Sequence, residues 1–174
     1  LGDVYKRQGT PGTGKTSVAK VLEGEYRVIY LKEYRESWMY WDEERDSYVI
    51  DLEVLRKRVM EEDKDEKVIV EGHYSQEMPV VMVIVLRCHP RELERRLKKR
   101  GYREEKIKEN VEAEAMSLIT SEAIIYHGKD NVFEVDTTGR KEGDVAKDVR
   151  KIIETRDRSF APRINYSEEI LKWY

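Results

Sequence analysis

Apolar residues recur along this chain with two spacings, one helical and one strand-like. From Gly14 onward Val18, Ala19, Val21 and Leu22 fall on one side of a helix that would lie against a sheet. Val28 to Leu31 then reads as a short strand. Val68 to Val70 and Val80 to Leu86 are apolar runs rich in β-branched residues and bounded by polar, Gly or Pro positions, the pattern of central parallel strands covered on both faces. Asn131 to Val135 predicts the last strand. Between these runs, Asp51 is placed to cap a helix reaching about Glu62, and Lys64 to Lys67 is a charged turn. Pro90 sits where a first helical turn tolerates proline and opens a basic helix that ends at Gly101. A single long helix is predicted from about Glu104 to His127, stopped by Gly128. Lys141 to Arg156 forms the last long helix, and Ser167 can cap a short terminal one ending at Trp173-Tyr174. Lys32 to Val49 is rich in Trp, Tyr and acidic residues without clean periodicity, which predicts a short helix plus a loop standing over a site. Strands alternating with helices imply βαβ units and one α/β domain over residues 1–174: a three-layer fold with a parallel five-stranded sheet and helices on both faces.

Composition narrows the chemistry. The 174 residues hold Lys+Arg 33 against Asp+Glu 36, a net charge of −3, so no global basic field points to DNA. The one cysteine, Cys88, excludes an internal disulfide and a cysteine-built zinc site within one chain, and suits a reducing cytoplasm. No apolar run approaches the ~18 residues of a membrane span, so no membrane partner is expected.

Gly9-Thr10-Pro11-Gly12-Thr13-Gly14-Lys15-Thr16 matches G-x-x-x-x-G-K-[ST], and the helix that should follow is present. Glycines let backbone N–H groups approach phosphate oxygens, Lys15 reaches the β/γ-phosphates, and Thr16 offers its hydroxyl to Mg²⁺. The motif therefore predicts ATP and Mg²⁺, bound by Gly9, Gly12, Thr13, Gly14, Lys15, Thr16 and Ser17. Val68-Ile69-Val70-Glu71-Gly72-His73 supplies the second acidic group at the end of a neighbouring strand, with Glu71 beside Thr16 as a metal ligand and His73 either a loop histidine or a proton-transfer group. Such a loop should follow a buried apolar strand, and Leu1 to Gln8 does not read as one. Without an initiator Met, that segment looks like a cloning or assembly scar in place of a native start. Asp136-Thr137-Thr138-Gly139 imitates the D-x-x-G switch of GTPases, but it lies far downstream and no N-K-x-D follows. It reads as the last strand and its loop, placed to cover the nucleotide base.

Arg87 to Lys108 holds ten Lys/Arg and four Asp/Glu, a local net of +6 (10 − 4) in an acidic chain. Much of this is the pattern of a solvated helix face. Arg100 stands apart because it precedes Gly101-Tyr102, where a hinge would let a lid carry guanidinium groups onto the transferring phosphate.

The P-loop, Tyr40-Trp41-Asp42-Glu43-Glu44, Val70-Glu71-Gly72-His73 and Leu86-Arg87…Glu94-Arg95-Arg96-Leu97…Arg100-Gly101-Tyr102 together resemble the sixth adenylate kinase isoenzyme family, the coilin-interacting nuclear ATPase and its archaeal relatives. The resemblance runs in order through nearly all of residues 9–156. It implies a broad-specificity kinase, ATP + AMP ⇌ 2 ADP, with ATPase activity and a role in small-subunit ribosome and rRNA maturation, hence a small-subunit ribosomal protein and pre-rRNA particle as partners. It places ATP contacts on Gly12, Gly14, Lys15, Thr16 and Ser17, with Arg100 in a lid at about 99–109 and the monophosphate region at about 28–50. Two positions depart from the family pattern. The usual aspartate at the strand end is Glu71 here, and the arginine that grips the acceptor phosphate aligns only across a gap, with Arg35 the candidate. Two rival readings remain at this point: an ATP-driven assembly factor whose working reaction is hydrolysis, and a P-loop kinase of a non-nucleotide metabolite.

Overall fold

The computed structural model describes residues 4–34, 39–42, 47–51, 53–54, 57, 61, 67–72 and 80–173. Its centre is a parallel sheet in the order β2 (Arg27–Tyr30), β5 (Val68–Glu71), β1 (Val4–Gln8), β6 (Met82–Arg87), β7 (Val132–Asp136). The outer connections carry α1 (Lys15–Leu22), α2 (Pro90–Lys99), α3 (Glu104–Ala115), α4 (Leu118–His127), α5 (Glu142–Thr155) and a short α6 (Ser167–Ile170). Parallel neighbours need such crossovers, because no tight turn can return the chain to the same end of a sheet.

Every residue of β6 is buried, and its alternation divides the core in two. Met82, Ile84 and Leu86 join Ile69, Phe133 and Val135 against Val18 and Leu22 of α1 and Val145, Val149 and Ile152 of α5. Val83, Val85 and Val132 face the other way onto Ala123 of α4. A third cluster, Cys88, Leu93, Leu97, Ile107 and Val111, locks α2 to α3 beside the sheet end. Leu22 is fully buried, and burying such a side chain stabilises by ~2–3 kcal/mol. Leu22→Ala, which would open a cavity between α1 and the sheet, costs ~2–5 kcal/mol.

Four expectations are corrected. Leu1 to Gln8 does not read as a strand, yet Val4–Gln8 is the central one, pairing with β5 on one side and β6 on the other. A ladder is made by backbone groups, so a segment flanked by two strands can complete it without an apolar sequence of its own. Among its described residues, the region 32–49 holds more than a short helix plus a loop. A 3₁₀ turn at Leu31–Tyr34 precedes an antiparallel hairpin of β3 (Met39–Asp42) and β4 (Ser47–Ile50), with Met39 opposite Ile50. The aromatic and β-branched residues in that stretch suit strands better than a helix.

The long helix predicted from Glu104 to His127 is two. Ser117 stands between α3 and α4 with a left-handed φ of 54°. Buried Arg87 causes the break: its Nη2 donates to the Glu114 carbonyl at 3.0 Å and to Ser117 Oγ at 2.9 Å, taking a carbonyl at the end of α3 that a continuous helix would use. Ser167, finally, is the first residue of α6 rather than its cap. Its N–H donates to Asn165 Oδ1 at 2.9 Å. Asp51 does cap, accepting from the N–H groups of Glu53 and Val54 at 3.1 Å each.

Candidate functional site: a phosphate loop at the sheet edge

β1 delivers the chain to Gly9 at the C-terminal edge of the sheet, the edge where open α/β sheets place their ligands. Two glycines are dictated by close approach. At Gly9, φ is 155°, and a Cβ would stand 2.6 Å from the Leu86 carbonyl oxygen and 2.6 Å from Thr13 Oγ1. At Gly12, φ is 92°, and a Cβ would meet Leu93 Cδ1 at 2.8 Å and Leu97 Cδ2 at 3.0 Å. The loop is thus pressed between β6 and α2 with no room for a side chain at either glycine.

Inside the loop, Thr13 N–H and Oγ1 both donate to the Thr10 carbonyl, at 3.2 Å and 2.9 Å. Gly14 precedes α1, and its carbonyl accepts from Val18 N–H at 3.0 Å. The first turn of α1 carries no acidic side chain, so its N–H groups and the positive end of its dipole are open to an anion. Lys15 is buried, with Nζ donating to the Gly9 carbonyl at 2.6 Å and the Thr10 carbonyl at 3.1 Å. Thr16 and Ser17 follow half-buried on that first turn.

Glu71 is buried at the end of β5, in register with Arg7 of the strand that leads into the loop. The sequence-predicted Gly9, Gly12, Thr13, Gly14, Lys15, Thr16, Ser17 and Glu71 are therefore gathered at one sheet edge. Arg100 is the C-cap of α2 and exposed, followed by Gly101 with φ 73° and by a Tyr102 N–H that donates to the Leu97 carbonyl at 3.2 Å. It lies four positions beyond Arg96, at the end of the same helix. His73 and Arg35 lie outside the described residues.

Residue-by-residue reading of the sequence missed Arg96 and Thr137. Arg96 Nη1 donates to the Gly12 carbonyl at 3.4 Å and Nη2 to the Thr137 carbonyl at 3.0 Å, while Nε holds Glu92 at 3.0 Å. Thr137 in turn donates from N and Oγ1 to the Arg87 carbonyl, at 2.8 Å and 2.9 Å. The loop that imitates a GTPase switch is therefore tied to the phosphate loop through one guanidinium. Arg96 hides in the sequence because it belongs to a run of exposed basic residues with the same composition. Cys88 is no candidate nucleophile: burial pushes its thiol up to about 11.

A parallel sheet, a glycine loop wrapped around a buried lysine and a helix N-terminus facing outward define a P-loop kinase-type domain. Known proteins agree. A profile described as "AAA domain" matches residues 8–117. A protein of Methanosarcina acetivorans named "Putative adenylate kinase" is 46% identical over 159 residues, covering 84% of this chain and 84% of its own length. One of the same name from Thermococcus onnurineus is 37% identical over 163 residues, covering 92% of this chain and 89% of its own. Among solved structures, a thymidylate kinase from Candida albicans superposes with a TM-score of 0.58 at 12% identity, over 94% of this chain and 96% of its own, a likeness of fold alone. The chain belongs to the adenylate-kinase-like family of P-loop nucleoside monophosphate kinases.

Proposed function

We propose that the chain transfers the γ-phosphoryl group of ATP to a nucleoside monophosphate, AMP first among them, in the reaction ATP + AMP ⇌ 2 ADP. The observation that carries this reading is the buried Lys15 ammonium, held by the Gly9 and Thr10 carbonyls inside a loop whose N–H groups and helix end are arranged for an anion. Lys15 turns from those carbonyls to the β/γ-phosphates when nucleotide arrives. Thr16 and Glu71 are hard oxygen donors at adjoining strand and helix ends, a set that fits Mg²⁺, which supplies charge neutralisation on the phosphate oxygens when bound. Arg100, beside the Gly101 hinge, clamps the charge that develops on the transferring group. Arg35 grips the acceptor phosphate, and His73 is the candidate for proton transfer. Water in place of the acceptor yields ATPase activity. A cytoplasmic location rests on the single cysteine, Cys88, and a link to small-subunit rRNA maturation on the family resemblance alone.

The test is a coupled assay scanning monophosphates with ATP and Mg²⁺. AMP-dependent ADP formation is expected, and Lys15→Ala abolishes both transfer and hydrolysis because both need the same charge on the phosphates. ATP consumption that AMP fails to accelerate would favour an assembly factor working by hydrolysis. Turnover with a sugar or acid alone would favour a metabolite kinase. Near-wild-type turnover by the Lys15 variant would sink the P-loop assignment itself.

A further inference from the structure

Glu114 lies on α3, far from the glycine motif in sequence, yet its carboxylate touches the phosphate loop. The side chain is 2% exposed. One oxygen, Oε1, is already occupied by Arg87 Nε at 2.7 Å and Cys88 N–H at 3.0 Å. The other, Oε2, accepts the Thr10 hydroxyl at 2.5 Å, across 104 positions of chain. A buried carboxylate accepts from whatever donor it meets, so this contact settles which way the Thr10 side chain points. The Thr10 carbonyl is then left facing the inside of the loop, where Thr13 N–H, Thr13 Oγ1 and Lys15 Nζ all donate to it.

We propose that Glu114 is a positioning residue for the phosphate loop: through the Thr10 hydroxyl it presets the loop's curvature and the resting place of Lys15, and so strengthens nucleotide polyphosphate binding. Balancing Arg87 would need only Oε1, and the Thr10 contact uses the other oxygen. A loop already curved before phosphate arrives loses less conformational freedom on binding. The proposal rests on the reading of Gly9 to Thr16 as an ATP site.

Titration calorimetry of the full chain with MgATP, well below the melting temperature, tests it. Thr10→Val keeps the shape and removes the hydroxyl, and weakens MgATP binding by ~10-fold, the worth of one charge-assisted hydrogen bond. Thr10→Ser, which returns the hydroxyl, regains most of the loss. In turnover the deficit of Thr10→Val falls on the KM for ATP more than on kcat, whereas a merely structural contact would lower the melting temperature and leave affinity intact. Thr10→Ala, which also removes the hydroxyl and leaves the Arg87–Glu114 pair intact, is the second variant should Thr10→Val melt below the assay temperature, and it weakens MgATP binding similarly. Unchanged affinity in a folded Thr10→Val or Thr10→Ala, or equal losses in Thr10→Val and Thr10→Ser, overturns the positioning role while leaving the ATP site standing. Failure of the wild-type chain to bind MgATP overturns the ATP site and the proposal with it.

Discussion

Arg87 and Arg95 carry the same guanidinium on neighbouring elements, and their surroundings make them different residues. Arg87, at the end of β6, is 1% exposed and bonded to two carboxylates, Glu114 at 2.7 Å and Glu134. Arg95, on the outer side of α2, is 70% exposed and, among the described residues, pairs with Glu92 at 2.8 Å. Around Arg87 both carboxylates have further donors: Glu114 also accepts from Cys88 N–H and the Thr10 hydroxyl, and Glu134 from Thr120 Oγ1 at 2.7 Å and from the N–H groups of Arg163 and Ile164 at 2.8 Å each. Burial opposes the charge of Arg87, but Glu114 and Glu134 outweigh it and raise its pKa. This buried triad joins β6, β7, α3, the phosphate loop and the C-terminal segment. A surface pair such as Arg95–Glu92 joins two residues of one helix, in water, and contributes little. Identical charges thus build the fold in one place and merely dress a helix in the other.

Removing Arg87 should have the largest effect. Arg87→Met strands two buried carboxylates and costs ~3–5 kcal/mol, measurable by urea unfolding. A loss as small as that of an exposed pair would erase the contrast drawn here. Next comes Arg100, exposed like Arg95 but followed by Gly101 with its left-handed φ of 73°. On the proposed role, in which Arg100 clamps the transferring group, Arg100→Ala should lower kcat by ~10²-fold with the melting temperature almost unmoved. Lys98→Ala, which removes the partner of Glu94 on the same helix, should change neither kcat nor melting temperature appreciably. Equal small effects at Arg100 and Lys98 would make the whole basic helix a solvated or partner-binding surface.

The smallest effect is a pH dependence. Hydrogen bonds from Arg95 and then Arg96, against partial desolvation, lower the Glu92 carboxyl from its ordinary 4.5 to about 2. A depressed folded pKa means stabilisation that is fully present above pH ~4.5 and lost as pH falls through ~2. The gap in melting temperature between the wild type and Glu92→Gln should therefore be small at pH 6 and close between pH 4.5 and 2. A gap that widens on acidification would contradict the sign.

Much of the site was legible because local chemistry dictates it. Gly9, Gly12, Gly14, Lys15 and Thr16 stand at fixed spacing in one loop, and the apolar runs at 68–70 and 80–86 announce strands buried on both faces. Three things were not legible. The hairpin at β3 and β4 falls in a stretch without alternation, so periodicity was silent. The central strand β1 is held by backbone pairing that side chains do not advertise. The buried network left one trace in the pattern: Arg87 continues the row of Val83 and Val85, and Glu134 that of Val132, so opposite charges interrupt two apolar rows of neighbouring strands. That trace points to a pair only once the strands are known to be adjacent.

The amino-acid sequence by itself determined the fold class, the alternation of strands and helices and the phosphate loop, since each depends on residues near one another in the chain. Only the tertiary structure decided that Glu114 reaches Thr10, that Arg96 ties Gly12 to Thr137, and that Arg87 divides one predicted helix in two. Those contacts join residues far apart in sequence, and a charge buried between distant elements acquires its meaning from the partners that folding brings to it.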